Sequence, residues 1–220
     1  MIIKRLSLFV LIGLVCPAAV FAQNKALSLD GDGDYIKVPH SESLNLSNTV
    51  TLESRILRNS HSMFAPMMRL IAGNGGGWFD QGYQIMSHMN GSIRFELQSE
   101  AMSTSIDSNV ISNDHWHHIA ATYDGKMMTI YIDGNVTFRS AQHASGMGNQ
   151  EADFGIGFGL YPTYGSSGVA GSFDGVIDEV RVWNVARTED EIQATILSDL
   201  DLRFPPKKEG LKGEVLKKSH

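Results

Sequence analysis

Residues 117–138 read HHIAATYDGKMMTIYIDGNVTF, and the alternation inside this stretch decides the fold. Ile119, Ala121 and Tyr123 fall on one face of an extended segment, Met128, Ile130 and Ile132 on one face of the next, and Val136 and Phe138 follow. A period of two belongs to a strand, because successive side chains leave a pleated backbone on opposite sides. Asp124-Gly125 and Asp133-Gly134 separate the segments, and Asp-Gly accepts the left-handed backbone angles of a tight hairpin loop. Three antiparallel strands in succession follow. Working outward, Asn90-Gly91 turns between Tyr83–Met86 and Ile93–Leu97, where Ile93, Phe95 and Leu97 point one way and Arg94 and Glu96 the other. One helix is expected: Thr188 with Glu191 three residues on is a capping box, opening a short segment with Ile192 and Ile196 on one side. The pattern predicts an all-β chain, a two-sheet antiparallel sandwich with one short C-terminal helix.

The composition agrees with one folded domain. Of 220 residues 42% are hydrophobic and 9% aromatic, enough for a single core, so disorder and a transmembrane bundle are excluded. Met1 to Arg5 followed by apolar Leu6 to Val15 reads as an export leader, with cleavage expected after Ala22. The sole cysteine, Cys16, lies in that leader; bulky Val15 before it argues against lipoprotein processing. The mature chain is thus expected to carry no disulfide and no cysteine-ligated zinc. Its expected location is secreted, periplasmic or at the cell surface, with no membrane insertion after leader removal. Residues 23–202 hold 10 Lys and Arg against 22 Asp and Glu. A body that acidic repels phosphate backbones and excludes nucleic acid as a partner. Residues 203–220 reverse the balance, with 6 basic against 2 acidic side chains, and read as a basic solvated tail, the alternative being a dock for an anionic partner.

Four stretches resemble a known family in order and spacing: Leu27 to Val38 (LSLDGDGDYIKV), Trp116 to Gly125, Ile130 to Gly134, and Gly175 to Asn184 (GVIDEVRVWN). They look like the successive signatures of laminin-G-like domains within the concanavalin A-like jelly-roll superfamily, over about residues 26 to 197. The resemblance implies a jelly roll of two large sheets, one flat and one curved, with the terminal strands adjacent. One departure is Arg55 in Thr51-Leu52-Glu53-Ser54-Arg55, where relatives often carry Trp. Glu209-Gly210-Leu211-Lys212-Gly213 resembles the opening of a further repeat in multidomain relatives.

Fold alone does not give function. Strict alternation places Asp178 with Val176, Val180 and Val182, a carboxylate in an apolar row, and Asp34 shares parity with Ile36 and Val38. A carboxylate buried there needs hydrogen bonds or a cation. Asp30-Gly31-Asp32-Gly33-Asp34 adds carboxylates separated by glycines, and calcium takes six to eight such oxygens. It is no EF-hand, because Tyr35 stands where the loop glycine belongs and Ser41 where the bidentate glutamate does. Family members often bind calcium, and the resemblance points to Asp34 and Asp178 first, then Asp30 and Asp32. The competing reading is that these aspartates cap their own turns.

His115, His117 and His118 do not read as a zinc site, since neighbours on a strand point apart and nothing downstream completes the ligand set. Catalysis is not expected either. Glu53 lacks a carboxylate partner two or four residues away, Glu179 shares parity with Arg181, and neither arrangement makes a glycosidase pair. The expectation is a noncatalytic module that binds a glycan or glycoprotein, with Trp78, Phe79, Tyr161 and Tyr164 as stacking surfaces among Gly, Ser and Asn. The alternatives are an adhesion module that binds protein without sugar, and a polysaccharide-active enzyme.

Overall fold

A computed structural model describes residues 26–60, 65–72, 81–88, 90–99, 103–141, 147, 152–157 and 172–203. The strands are β1 (Leu27–Asp30), β2 (Ile36–Val38), β3 (Val50–Arg58), β4 (Ala65–Ala72), β5 (Gln81–Ser87), β6 (Ser92–Gln98), β7 (Ser103–Val110), β8 (Trp116–Tyr123), β9 (Met127–Ile132), β10 (Asn135–Ala141), β11 (Phe154–Ile156) and β12 (Asp174–Trp183). The helix α1 spans Glu189–Arg203. Two six-stranded antiparallel sheets result, one ordered β1-β12-β3-β8-β9-β10 and the other β2-β11-β4-β5-β6-β7. This is the expected jelly-roll-like sandwich. The terminal strands are neighbours, as the resemblance implied, with Leu27 opposite Ile177 and Asp30 opposite Asp174.

The three-strand meander forms as β8, β9 and β10. Its second turn uses Asp133 and Gly134, both at positive φ (52° and 78°), the angles that twist a two-residue hairpin in step with its strands. Facing residues of the two sheets make the core, among them Leu52, Ile56, Tyr83, Ile85, Phe95, Ile119, Ile130 and Ile177. Helix α1 covers the far side of the first sheet, where Ile192 packs on Ala120 and Tyr131. Its capping box is reciprocal: the Thr188 N–H donates to Glu191 Oε2 at 2.8 Å, and the Glu191 N–H to Thr188 Oγ1 at 3.3 Å. The hydrogen bond from the Thr188 backbone holds the Glu191 carboxyl below its ordinary value. The leader, and the tail beyond Arg203, lie outside the described residues.

Strict alternation fails in β12. The register shifts between Asp178 and Arg181, and Glu179 sits at φ 53°. An extra residue in a bulge reverses the parity downstream of it. Ile177 therefore faces the core while Val180 and Val182 also pack against it, and Asp178 lies opposite Ile177 with the outward residues. The carboxylate in an apolar row expected at Asp178 is corrected accordingly. Asp178 Oδ1 accepts the Glu179 N–H at 2.9 Å, and the residue stands opposite Arg55 on β3.

Candidate functional site

Residues directly opposite each other in an antiparallel ladder share one face of a sheet. The registers of the second sheet link Lys37 to Gly155, Gly155 to Arg69, Arg69 to Gln84, Gln84 to Glu96 and Glu96 to Ser105. One transverse row thus crosses all six strands. Its members alternate along the strands with buried Tyr83, Ile85, Phe95, Leu97 and Ile106, so the row lies on the face turned away from the core.

Toward the β7 edge of this face Glu96 gathers three donors. Gln84 Nε2 donates to Oε2 at 2.7 Å, while Gln98 Nε2 and Ser103 Oγ donate to Oε1 at 2.9 and 2.7 Å. A carboxylate only accepts, so these bonds fix which end of each glutamine amide is nitrogen. The amide oxygens then point elsewhere. Gln84 Oε1 and Gln98 Oε1 are both buried with no hydrogen-bond partner among the described residues, and Gln84 as a whole is only 4% exposed. A buried acceptor left unmade costs about 1–3 kcal/mol.

Beside Glu96 runs a bidentate pair, with Arg94 Nε and Nη2 donating to Asp107 Oδ1 and Oδ2 at 2.8 and 2.9 Å. The hydrogen bonds from Arg94 hold the Asp107 carboxyl below the usual carboxylate value, and the same bonds raise the Arg94 guanidinium. A carboxyl depressed in the folded state stabilises the fold above its unfolded value, near 3.9, and that contribution disappears as pH falls through the lower folded value. Urea unfolding of Asp107→Asn and the parent chain is therefore expected to show a constant stability gap above about pH 5 that closes toward about pH 2. A gap that persisted unchanged into acid would contradict the assignment.

The aspartates singled out in the sequence do not gather. Asp30, Asp32 and Asp34 are exposed, and Asp30 Oδ1 accepts the Asp32 N–H at 2.9 Å, a turn capping itself. Asp30 stands opposite Asp174, four residues along β12 from Asp178, about 13 Å at roughly 3.3 Å per residue. Calcium ligands sit within about 2.6 Å of the ion, too close for those two to share one. Asp174 meanwhile takes Asn59 Nδ2 at 3.0 Å and Ser60 Oγ at 2.6 Å. Among the described residues no three His, Cys, Asp or Glu side chains form a group able to hold a metal ion. Trp78, Phe79, Tyr161 and Tyr164 lie outside the described residues.

Glu53 is fully buried on the helix-covered side of the first sheet, with Arg187 Nη1 on Oε1 at 2.5 Å. Glu179 pairs with Arg181, the salt bridge expected between them, although the bulge in β12 breaks the alternation on which that expectation rested. Arg55 lies over the Trp116 ring at 5.6 Å, on the sheet that does not carry the polar row. Its replacement of the family's tryptophan therefore leaves that row untouched. The row itself escaped sequence reasoning, because Lys37 and Gly155 join it only through the long crossovers that bring β2 and β11 alongside β4; the only signal was outward parity at Arg94 and Glu96.

A family model described as Concanavalin A-like lectin/glucanases superfamily, of the laminin G type, matches residues 30–193. Mouse (Mus musculus) pappalysin-1 is 34% identical over 88 residues, 40% of this chain and 5% of that protein. Among solved structures, the CBM40 of the Ruminococcus gnavus IT-sialidase, bound to alpha2,3 sialyllactose, aligns with TM-score 0.61 at 14% identity, over 80% of this chain and 98% of that one. Domain 4 of the extracellular arabinanase AbnA from Geobacillus stearothermophilus, in complex with arabinotriose, gives 0.56 at 19%, over 77% and 75%. The binding domain of Paraclostridial Mosquitocidal Protein 1 gives 0.59 at 15%, over 82% of this chain and 47% of that one. At these identities the structural likenesses concern the fold.

Proposed function

The chain belongs to the laminin G-like family of the Concanavalin A-like lectin/glucanases superfamily, and from that premise we propose that it is a binding module for a glycan or glycoprotein, acting outside the cytoplasm. One observation carries the reading: a polar row crosses all six strands of the second sheet on its outward face, with the Glu96 carboxylate held by the Gln84 and Gln98 amides within and beside it. Sugar hydroxyls are donors at close spacing, and a polar row running across six strands offers an extended chain a track of matching chemistry. Two of the aligned structures carry a sialyl or arabinan oligosaccharide, which supports a sugar ligand on this scaffold. The leader sequence supports export, and among the described residues no helix is long and apolar enough to cross a membrane. Within the row Glu96 is the one carboxylate, so binding is favoured over glycosidic cleavage, which needs two.

A glycan array carrying 3′-sialyllactose and arabinotriose among its probes tests the proposal. Gln98→Ala and Glu96→Gln are expected to weaken the best array ligand about tenfold by calorimetric titration, the loss of one or two hydrogen bonds, with the melting midpoint unchanged in Gln98→Ala. An array without any bound glycan would favour a protein-binding adhesion module instead, and unaltered affinity in both variants would move the site off this face.

A further inference from the structure

Where the β7–β8 connection meets the first sheet, three side chains unrelated to the polar row are joined in a chain of hydrogen bonds. Ser112 Oγ is 2.9 Å from His117 Nε2, and His117 Nδ1 is 2.8 Å from Asp133 Oδ2. The directions follow from chemistry. Asp133 can only accept, so Nδ1 carries the hydrogen; in the neutral ring Nε2 is then the acceptor, and the Ser112 hydroxyl donates to it. The carboxylate is itself fixed, since Asp133 Oδ1 accepts the His118 N–H at 2.8 Å and the Asp133 N–H donates to His118 O at 2.8 Å. We propose that Ser112, His117 and Asp133 form a nucleophile, base and orienting acid that cleave short, accessible acyl esters.

The loop that carries the serine is built, not loose. Buried Arg58 grips it on both sides of Ser112, through Nη2 to Ile111 O at 2.9 Å and Nε to Asn113 Oδ1 at 2.7 Å, and Arg58 O accepts the Asp114 N–H at 2.8 Å. Ser112 remains exposed, so a carbonyl can reach Oγ while His117, mostly buried, stays behind it. The Ser112 N–H takes part in no hydrogen bond among the described residues, which leaves a donor on the same residue for a developing oxyanion. Val110, 66% exposed two residues earlier, gives an acyl chain an apolar surface.

The chemistry balances with water as the sole co-reactant. Ser112 Oγ bonds to the ester carbonyl carbon as its proton passes to Nε2, and Asp133 stabilises the imidazolium so formed. The carbon–oxygen bond to the alcohol breaks, and the alkoxide leaves with the proton from Nε2. Water then attacks the acyl-serine, gives a proton to Nε2, and releases a carboxylic acid while Ser112 regains its hydrogen. The open position of Ser112 suits an ester on a flexible carrier. It is independent of the glycan reading.

The full chain is treated with a fluorophosphonate probe, its peptides are mapped by mass spectrometry, and hydrolysis of p-nitrophenyl acetate is followed in parallel. The expected result is phosphonylation at Ser112, abolished in His117→Gln, and a rate at least tenfold lower in Ser112→Ala and in Asp133→Asn. Ser112 is at the surface, so its alanine variant is expected to melt with the parent chain. Absence of label from Ser112, or equal hydrolysis by the parent chain and Ser112→Ala, would overturn the proposal and leave glycan binding unaffected.

Discussion

Arg58→Ala is expected to lower the free energy of unfolding by about 3–5 kcal/mol, among the largest losses a single substitution in this chain can produce. The side chain is 1% exposed and ends β3 pointing into the sandwich. Its guanidinium donates to Asn113 Oδ1, Ser87 Oγ, Gly91 O and Ile111 O at 2.7, 2.7, 3.3 and 2.9 Å. Those acceptors belong to the β5–β6 hairpin and the β7–β8 connection, so one residue of the first sheet ties down two turns of the second. None of them is a carboxylate. Burial accordingly pushes the guanidinium below its ordinary value, while the hydrogen bonds keep the group in place. Truncation leaves several acceptors unmade inside the protein and a cavity beside them, which together outweigh the relief of removing a buried charge. Arg58→Lys keeps the charge but presents a point in place of a fork, and is expected to recover less than half of the loss. Denaturant unfolding followed by circular dichroism measures both; a loss below about 1 kcal/mol for alanine would contradict the account.

What the sequence could and could not show follows from the range of the interactions. The meander from Trp116 to Ala141, the Asn90-Gly91 hairpin and the Thr188–Glu191 capping box are local, and each is written in a few consecutive residues. The pairing of first and last strands came from the resemblance and holds in the structure. Asp178 was misread because alternation assumes an unbroken ladder, and one residue at positive φ, Glu179, breaks it. Gln84 and Glu96 lie on adjacent strands, yet the row they belong to also needs Lys37 and Gly155, brought alongside by β11 closing onto β2 and β4. Ser112, His117 and Asp133 likewise carried no shared signal. The first two were a loop residue and a strand residue, and Asp133 read simply as a turn former. Arg58 gave no warning, since its parity with Ile56 placed an arginine on the core face without naming the acceptors that make the position tolerable.

Glu53 and Arg187 show the same limit across 134 residues, and carry the other large effect. Arg187 Nη1 donates to Glu53 Oε1 at 2.5 Å and to Thr195 Oγ1 at 2.7 Å, Nη2 reaches Glu191 O at 2.7 Å, and the guanidinium lies 4.5 Å from the Trp183 ring centre. One cation therefore connects β3, the end of β12 and the first turns of α1. Glu53 is completely buried, and its second oxygen has no hydrogen bond among the described residues and lies 3.7 Å from His118 Nε2. Arg187→Met strands that carboxylate and is expected to cost about 3–5 kcal/mol, whereas Glu53→Gln/Arg187→Met removes the stranded charge and is expected to recover at least half of it. If the pair instead contributed independently, the double variant would lose the sum of the two single losses. Hydrogen exchange locates the damage: in Arg187→Met the amides of α1 are expected to lose protection before those of β8 and β9, because the capping box and Ile192 then hold the helix without its charged anchor. Equal loss of protection across the helix and the strands would mean that Arg187 supports the sandwich as a whole and not the docking of α1.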